Sequence, residues 1–298
     1  MTRYDPSAIG SDVPRSRSQY LARTFASWVV QTFGFNRGGA LSTEIVQQIR
    51  PVCTIATRVG PLRCVGGHGR LRWRASTFYT EEPETIKWLD GLQRDDLLWD
   101  IGANVGLYSI YAALVAGCRV LAVEPEAQNY ATLLENIVLN GAGDRVEAAN
   151  LAIARAYGIG RLQVHAMTKG GAYNQFIGNG TAAGGGRGGA VTQVQMGVSL
   201  DDLVAQCGFP EPTHLKIDVD GNEPEILSGG RRLLTQGRCR SVLVEIQRGD
   251  PEHERAVEAL RAAGFRCVSE RSNWSSRDHR EREAEHPAVN MIFERGGR

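Results

Sequence analysis

The sequence predicts an α/β protein built on a mostly parallel, doubly wound sheet of seven strands with an antiparallel edge strand. A helical and β extension precedes it. Three observations predict this. Short apolar runs ending in acids, such as Leu97-Leu98-Trp99-Asp100 and Val120-Leu121-Ala122-Val123-Glu124, alternate with helix-periodic segments at the spacing of βα units. The turn after the first run, Gly102-Ala103-Asn104-Val105-Gly106, is bounded by glycines that permit sharp backbone turns. A final run, Val289-Asn290-Met291-Ile292-Phe293, follows 265–269 after only a charged loop, which an antiparallel edge strand accommodates.

In chain order, residues 1–78 read as a basic extension and 79–298 as the main domain. Residues 1–15 are polar and Pro-containing, which suits disorder. Over 18–33, Leu21, Phe25, Trp28, Val29 and Phe33 recur at helical spacing beside Arg15, Arg17 and Arg23. Such a helix suits packing on the body, a homodimer contact or peripheral membrane contact. A helix from 41 and strands around 52–59 and 62–73 follow, then a helix over 84–92. Strands are expected near 97–101, 119–123, 145–149, 214–218, 241–246, 265–269 and 289–294. Helices are expected over 106–116, 126–139, 223–235 and 251–263. Glycine runs over 169–190 bracket an island, Tyr173-Asn174-Gln175-Phe176, between strand-like flanks at 162–165 and 191–198. This segment reads as a long hairpin loop, either a lid over an acceptor or a plain tip.

Composition sets outer bounds. The chain has 298 residues, 42% hydrophobic and 22% charged, as in ordinary soluble proteins. Its net charge of +1 hides an asymmetry, because residues 1–75 carry eleven Arg against three acids and no Lys. That basic front suits either a solvated surface or an anionic partner such as lipid, nucleic acid or an acidic glycan. The six cysteines are scattered without a C-x-x-C pair, as for buried free thiols in a reducing compartment. No apolar run approaches the roughly 18 residues of a membrane span, and no signal h-region is visible, so a cytoplasmic location is expected.

The chemistry concentrates at the strand tips. A dinucleotide fingerprint, G-x-G-x-x-G, fails because Asn104 and Leu107 stand at its second and third glycine positions. The remaining Asp-x-Gly-x-Asn-x-Gly is close to the Asp-x-Gly-x-Gly-x-Gly loop that binds S-adenosylmethionine (SAM). SAM has no phosphate, so such a loop needs backbone approach and an acid for the methionine ammonium, a part suited to Asp100. Glu124, on the next strand tip, is placed to accept hydrogen bonds from ribose hydroxyls. A second acidic cluster lies at Asp218-Val219-Asp220-Gly221-Asn222-Glu223, with Asp218 and Asp220 sharing a strand face by period two. Glu245 ends the following strand. Carboxylates converging beside a sulfonium suit O-methylation, where one can take the acceptor proton. Asp218 is the first candidate for base or acceptor orienter, with Glu223 and Glu245 behind it. An EF-hand reading fails because Gly221 stands fourth rather than sixth. A divalent ion on Asp218, Glu223 and Glu245 is the weaker reading, and no metal is assigned. His214 and His253 read as structural.

With those motifs assembled over 79–260, the chain resembles the FkbM family of SAM-dependent methyltransferases. The resemblance rests on Glu82-Pro83-Glu84-Thr85, 99–109, Val123-Glu124-Pro125, Asn136 to Asn140, 199–203, 216–221 and Val244-Glu245, including Asn104 in place of the middle glycine. It implies the class I methyltransferase version of the Rossmann-like fold. It also implies SAM held by Asp100, Gly102, Asn104, Gly106 and Glu124, with Asn150 and Leu151 near the adenine. The implied activity is O-methylation of a hydroxyl, of a sugar in a bacterial glycan or a glycosylated natural product. Two alternatives stay beside it. An N-methyltransferase acting on an amine or nucleic acid lacks support, since Asp-Val-Asp-Gly replaces the Asn/Asp-Pro-Pro-Tyr pattern. A non-catalytic glycan-biosynthesis module would not need the intact cofactor turn.

Overall fold

A computed structural model describes residues 51–67, 69–165, 169–172, 174–178, 191–272 and 288–296, with Thr24, Phe25 and Trp28. The expectations for 1–15, the helix from 41 and the glycine run after 178 lie outside the described residues. So does most of the 18–33 stripe.

An antiparallel hairpin, β1 (Val52–Thr57) and β2 (Gly60–Val65), is followed by α1 (Gly69–Thr77) and α2 (Pro83–Asp90). Next come β3 (Leu97–Ile101), α3 (Leu107–Tyr111) with a π turn at Ala112–Ala116, β4 (Arg119–Val123), α4 (Ala127–Leu139) and β5 (Val146–Ala149). A second group is β6 (Ala152–Ile153), β7 (Gly158–Val164), β8 (Gln175–Ile177) and β9 (Val191–Val198). The chain then runs through α5 (Leu200–Ala205), β10 (His214–Ile217), α6 (Glu223–Gly229), α7 (Arg231–Gln236), β11 (Ser241–Gln247), α8 (Pro251–Ala262), β12 (Phe265–Ser272) and β13 (Ala288–Arg295).

The main sheet has the order β12-β13-β11-β10-β3-β4-β5. Its pairs from β11 to β5 are parallel, and β13 runs antiparallel to both β11 and β12. This is the seven-stranded, mostly parallel sheet expected from the sequence, and its antiparallel strand, β13, sits between β11 and the edge strand β12. The smaller sheet, β6-β9-β7-β8, contains the expected flanks of the glycine-rich loop and one unexpected strand, β8, inside the island.

Alternation along β3 explains the two-sided core. Trp99 and Ile101 enter a cluster with Leu121, Val123, Ile217 and Val244 beneath α5 to α8. Leu98 faces the other side with Val120 and Ala122, beneath α3 and α4. Ile55, Leu62 and Cys64 of the hairpin, with Leu71 and Phe78, belong to that same second cluster.

Three sequence expectations change. The strand expected over 62–73 ends at Val65, and the rest is α1. There Leu71, Ala75 and Phe78 recur at i, i+4 and i+7 and pack into the core, so the helical period wins over the local alternation. The helix expected over 223–235 is broken at Gly230, where the backbone packs on Leu200. Strand β10 ends at Ile217, and Asp220 adopts a left-handed conformation with φ 60, so Asp218 and Asp220 do not share a strand face.

Two asparagines on α4 fasten the hairpin to the body. Asn136 Oδ1 accepts the Val65 N–H at 2.8 Å, and its Nδ2 donates to the Val105 carbonyl at 2.8 Å. Asn140 brackets Arg63 in the same way, accepting its N–H at 2.8 Å and donating to its carbonyl at 2.6 Å. Replacing buried Asn136 by Ala strips partners from both backbone groups. Asn136→Ala is therefore expected to cost about 2–4 kcal/mol in urea unfolding, against less than about 0.5 kcal/mol for Val138→Ala on the exposed face.

Candidate active site

The carboxyl ends of β3, β4 and β5 carry all seven residues expected to hold the cofactor. Asp100, at the tip of β3, is buried and accepts the Ser109 hydroxyl at 2.5 Å through Oδ2. Its Oδ1 lies 3.7 Å from the Lys216 ammonium and takes no hydrogen bond. Gly102 and Gly106 both have left-handed φ, +82 and +81. A Cβ on Gly102 would run into the Asp218 carbonyl oxygen, and one on Gly106 into Leu133. The approach that demands glycine here is to the chain itself, a different reason from the room for a ligand expected from the sequence.

Asn104 is the hub of the turn. With φ 52 it donates its N–H to Glu124 Oε2 at 2.8 Å, and its Oδ1 accepts the Val105 N–H at 3.0 Å. Glu124 Oε1 accepts the Glu126 N–H at 2.9 Å. Burial pushes the Glu124 carboxyl up to about 7, against the pull of those backbone donors. Asn150 braces the next tip, donating from Nδ2 to the Glu124 and Pro125 carbonyls at 2.8 and 3.0 Å. Leu151 lines a cleft with Gly102, Pro125, Phe176 and Val219.

The glycine-bracketed island crosses this cleft. Asn104 Nδ2 donates to the Gly171 carbonyl at 2.7 Å, and Asn129 exchanges hydrogen bonds with Gly170 and Gly171 at 2.8 and 3.1 Å. Arg74 on α1 reaches the Gly170 carbonyl at 3.1 Å, and Asn222 donates to the Phe176 carbonyl at 3.1 Å. Gly170 and Gly171 are thus tied to the glycine turn after β3 and to α4, and Phe176 to the turn before α6.

The carboxylates divide by role. Asp218, just beyond β10, accepts the Lys216 ammonium at 2.8 Å and stays partly exposed. Lys216 is fully buried, with its ammonium 5.4 Å from the centre of the Tyr108 ring. Glu223 turns inward instead. Its Oε1 accepts the Val219 and Gly221 N–H groups at 3.1 and 3.2 Å, and its Oε2 accepts Gly221 at 3.0 Å. Burial pushes Glu223 up to about 7 although these donors pull it down, and its geometry is that of a brace for the turn. Glu245 on β11 lies opposite Asn290 on β13. Burial, then the charges of Asp218, Glu223, Asp220 and Glu82, push it well above the usual carboxylate range.

Three residues of this crevice were not singled out from the sequence. Lys216 had a signal, since a lysine inside the apolar run Leu215-Lys216-Ile217 must find buried anions. Tyr108 had none beyond its place after the turn. Glu82 reads locally as an ordinary cap for α2, yet its side chain caps no backbone N–H. It accepts instead from Thr85 Oγ1 at 2.9 Å and Asn290 Nδ2 at 3.2 Å, both on Oε2.

The two histidines sit away from this chemistry or serve it as props. His214 Nδ1 is 2.6 Å from Ser241 Oγ and Nε2 is 3.2 Å from Asp96, and burial lowers the ring to about 4. His253 is buried and accepts the Gln247 N–H at 3.3 Å. Among the described residues, no group of three or more His, Cys, Asp and Glu could hold a metal ion. No helix among them is long and apolar enough to cross a membrane.

The sequence model of the FkbM methyltransferase domain matches residues 100–267, more than half of the chain. The hexuronic acid methyltransferase AglP of Haloferax volcanii is 29% identical over 181 residues, covering 60% of this chain and 68% of its own length. The 31-O-demethyl-FK506 methyltransferase FkbM of Streptomyces tacrolimicus is 26% identical over 200 residues, covering 60% and 76%. Among solved structures, an FkbM methyltransferase of Methylobacillus flagellatus aligns with a TM-score of 0.41 at 14% identity, covering 74% of this chain and 53% of the other. The chain belongs to the FkbM family of SAM-dependent methyltransferases.

Proposed function

We propose that this protein transfers the methyl group of SAM to a hydroxyl, of a sugar in a bacterial glycan or a glycosylated natural product. The observation that carries the reading is the Asp218–Lys216 pair set beside Asp100, at the junction of the cofactor turn and the carboxylate-lined crevice. The donor set fits the cofactor. Asp100 Oδ1, buried without a hydrogen bond, suits the methionine ammonium, and Glu124 suits the ribose hydroxyls. Leu151, Pro125 and Phe176 offer an apolar wall to the adenine. When bound, SAM supplies an electrophilic methyl on a cationic sulfur.

The chain's own residues do the rest. Asp218, held by Lys216, accepts a hydrogen bond from the acceptor hydroxyl and fixes its direction. Glu245 adds a second acceptor on the same rim, and Glu223 keeps the turn that presents Asp218. The names of the two relatives above support oxygen as the receiving atom and a sugar acid as one acceptor class.

Two measurements test this. Calorimetry with S-adenosylhomocysteine should show micromolar binding that Glu124→Ala weakens by about tenfold, roughly 1.4 kcal/mol, with NADH not bound. Because Glu124 titrates at about 7, affinity should fall as pH drops from 8 to 6, when the carboxylate gains a proton and loses an acceptor oxygen. That dependence should vanish in Glu124→Gln. The second measurement follows tritiated methyl from SAM onto methyl glucuronoside and methyl glucoside. An alkali-stable ether supports the reading; an alkali-labile methyl ester, or no transfer to either sugar, opposes it. Asp218→Asn should lower kcat about a hundredfold while homocysteine-product affinity changes less than about twofold.

A further inference from the structure

Glu82 directly precedes α2 and opens the run Glu82-Pro83-Glu84-Thr85. Its position is that of a helix N-cap, where a carboxylate ordinarily turns back to the first N–H groups of the helix. This one does not. Thr85 Oγ1 and buried Asn290 Nδ2 both donate to Oε2, and Oε1 takes no hydrogen bond among the described residues. Asn290 is the cross-strand partner of Glu245 and also donates to Glu84 Oε1 at 3.3 Å. Asn290 thereby ties the Glu82 carboxylate to the strand position opposite Glu245.

We propose that Glu82 is the catalytic group that takes the acceptor proton, and that Asp218 orients the hydroxyl. This rests on the hydroxyl-methylation reading above. As the hydroxyl oxygen's lone pair bonds the methyl carbon, the carbon–sulfur pair stays on sulfur and the hydroxyl proton passes to Glu82 Oε1. A cationic sulfonium and an anionic carboxylate become a neutral thioether and a carboxylic acid, so charge and electrons balance, and the proton then leaves to water.

The division of labour follows from the neighbours. Asp218 already accepts the Lys216 ammonium at 2.8 Å, which fixes the direction of its carboxylate. The charges of Asp218, Lys216 and Glu84 act on Glu82, while Glu84 is met by Arg271 at 3.5 Å. Burial, then the Asp218 charge, push Glu82 up to about 7 against the pull of Lys216, which is where a base working near neutral pH is most effective. Asp100 Oδ1, buried and without a hydrogen bond among the described residues, faces the same Lys216 ammonium at 3.7 Å.

The test uses the full chain with S-adenosylhomocysteine bound. In Glu82→Gln, the amide oxygen can still accept from Thr85 and Asn290, so the fold and product affinity should hold within about twofold. Carbon-13 carboxyl NMR, with the Glu82 signal assigned by its loss in Glu82→Gln, should show titration near 7; titration near the ordinary glutamate value of about 4.3 overturns the proposal. With saturating SAM, which keeps Glu124 out of kcat, methyl transfer to whichever methyl glycoside is accepted should fall about a hundredfold in Glu82→Gln and lose its acidic limb near 7. Glu82→Asp should regain part of the rate. A Glu82→Gln enzyme with the original kcat and pH profile overturns the proposal. Absence of any transfer by the unaltered protein would count against the hydroxyl reading, and the NMR titration would still decide the state of Glu82.

Discussion

The site is organised around one buried ammonium. Lys216 sits in the central strand with Asp218 at 2.8 Å and Asp100 at 3.7 Å, and Glu82 adds its charge from the side. Burial alone would strip such a lysine of its proton, but the three carboxylates more than offset it, and its affinity for the proton is raised. The pairing joins two halves of the molecule. Asp100 stands before the glycine turn after β3, and Asp218 at the tip of β10. Burial first, and for Glu82, Glu223 and Glu245 the Asp218 charge as well, pushes the carboxyls of Glu82, Glu124, Glu223 and Glu245 above the usual range. A cationic donor entering this crevice meets a surplus of acceptors already in place.

The parallel sheet makes that concentration of acids feasible. Strands β3, β4, β10 and β11 all end on the same side, so residues distant in sequence converge at one edge without long loops. The buried helix and strand faces carry the cost, since each tip is anchored by apolar residues beneath it. The N-terminal flank contributes from outside the alternation. Its hairpin shares a core with α3 and α4, and the two asparagines of α4 fix it where α1 and α2 can reach the crevice.

Much of this was legible in the chain. Buried parallel strands leave apolar runs such as 97–101, 119–123 and 241–246, and the structure places them within a residue or two of those bounds. The glycine turn after β3 was legible because its glycines and acids fall at fixed spacing. What escaped depended on contacts between distant segments. Alternation hid α1, because Cys64 and Leu71 face the same core from different elements. Period two joined Asp218 to Asp220, but a left-handed residue ends that logic. Glu223, a second candidate behind Asp218 in the sequence, spends its oxygens on backbone N–H groups. Nothing local in the sequence sets Glu82 apart, and its partner Asn290 lies 208 residues away.

Asn104 shows why a departure from the commoner glycine pattern can be constructive. A glycine there would reach the same left-handed φ more readily and could still offer its N–H to Glu124. It could not do what the carboxamide does. Oδ1 closes the turn on the Val105 N–H, and Nδ2 holds the Gly171 carbonyl at 2.7 Å. The side chain therefore exchanges backbone ease for a tether between the cofactor turn and the strap at 170–177. Asn129 holds that strap independently, and Asn222 holds its far end. Three asparagines on separate elements fixing one short segment mean that its position reports on both the cofactor turn and the acceptor-side turn.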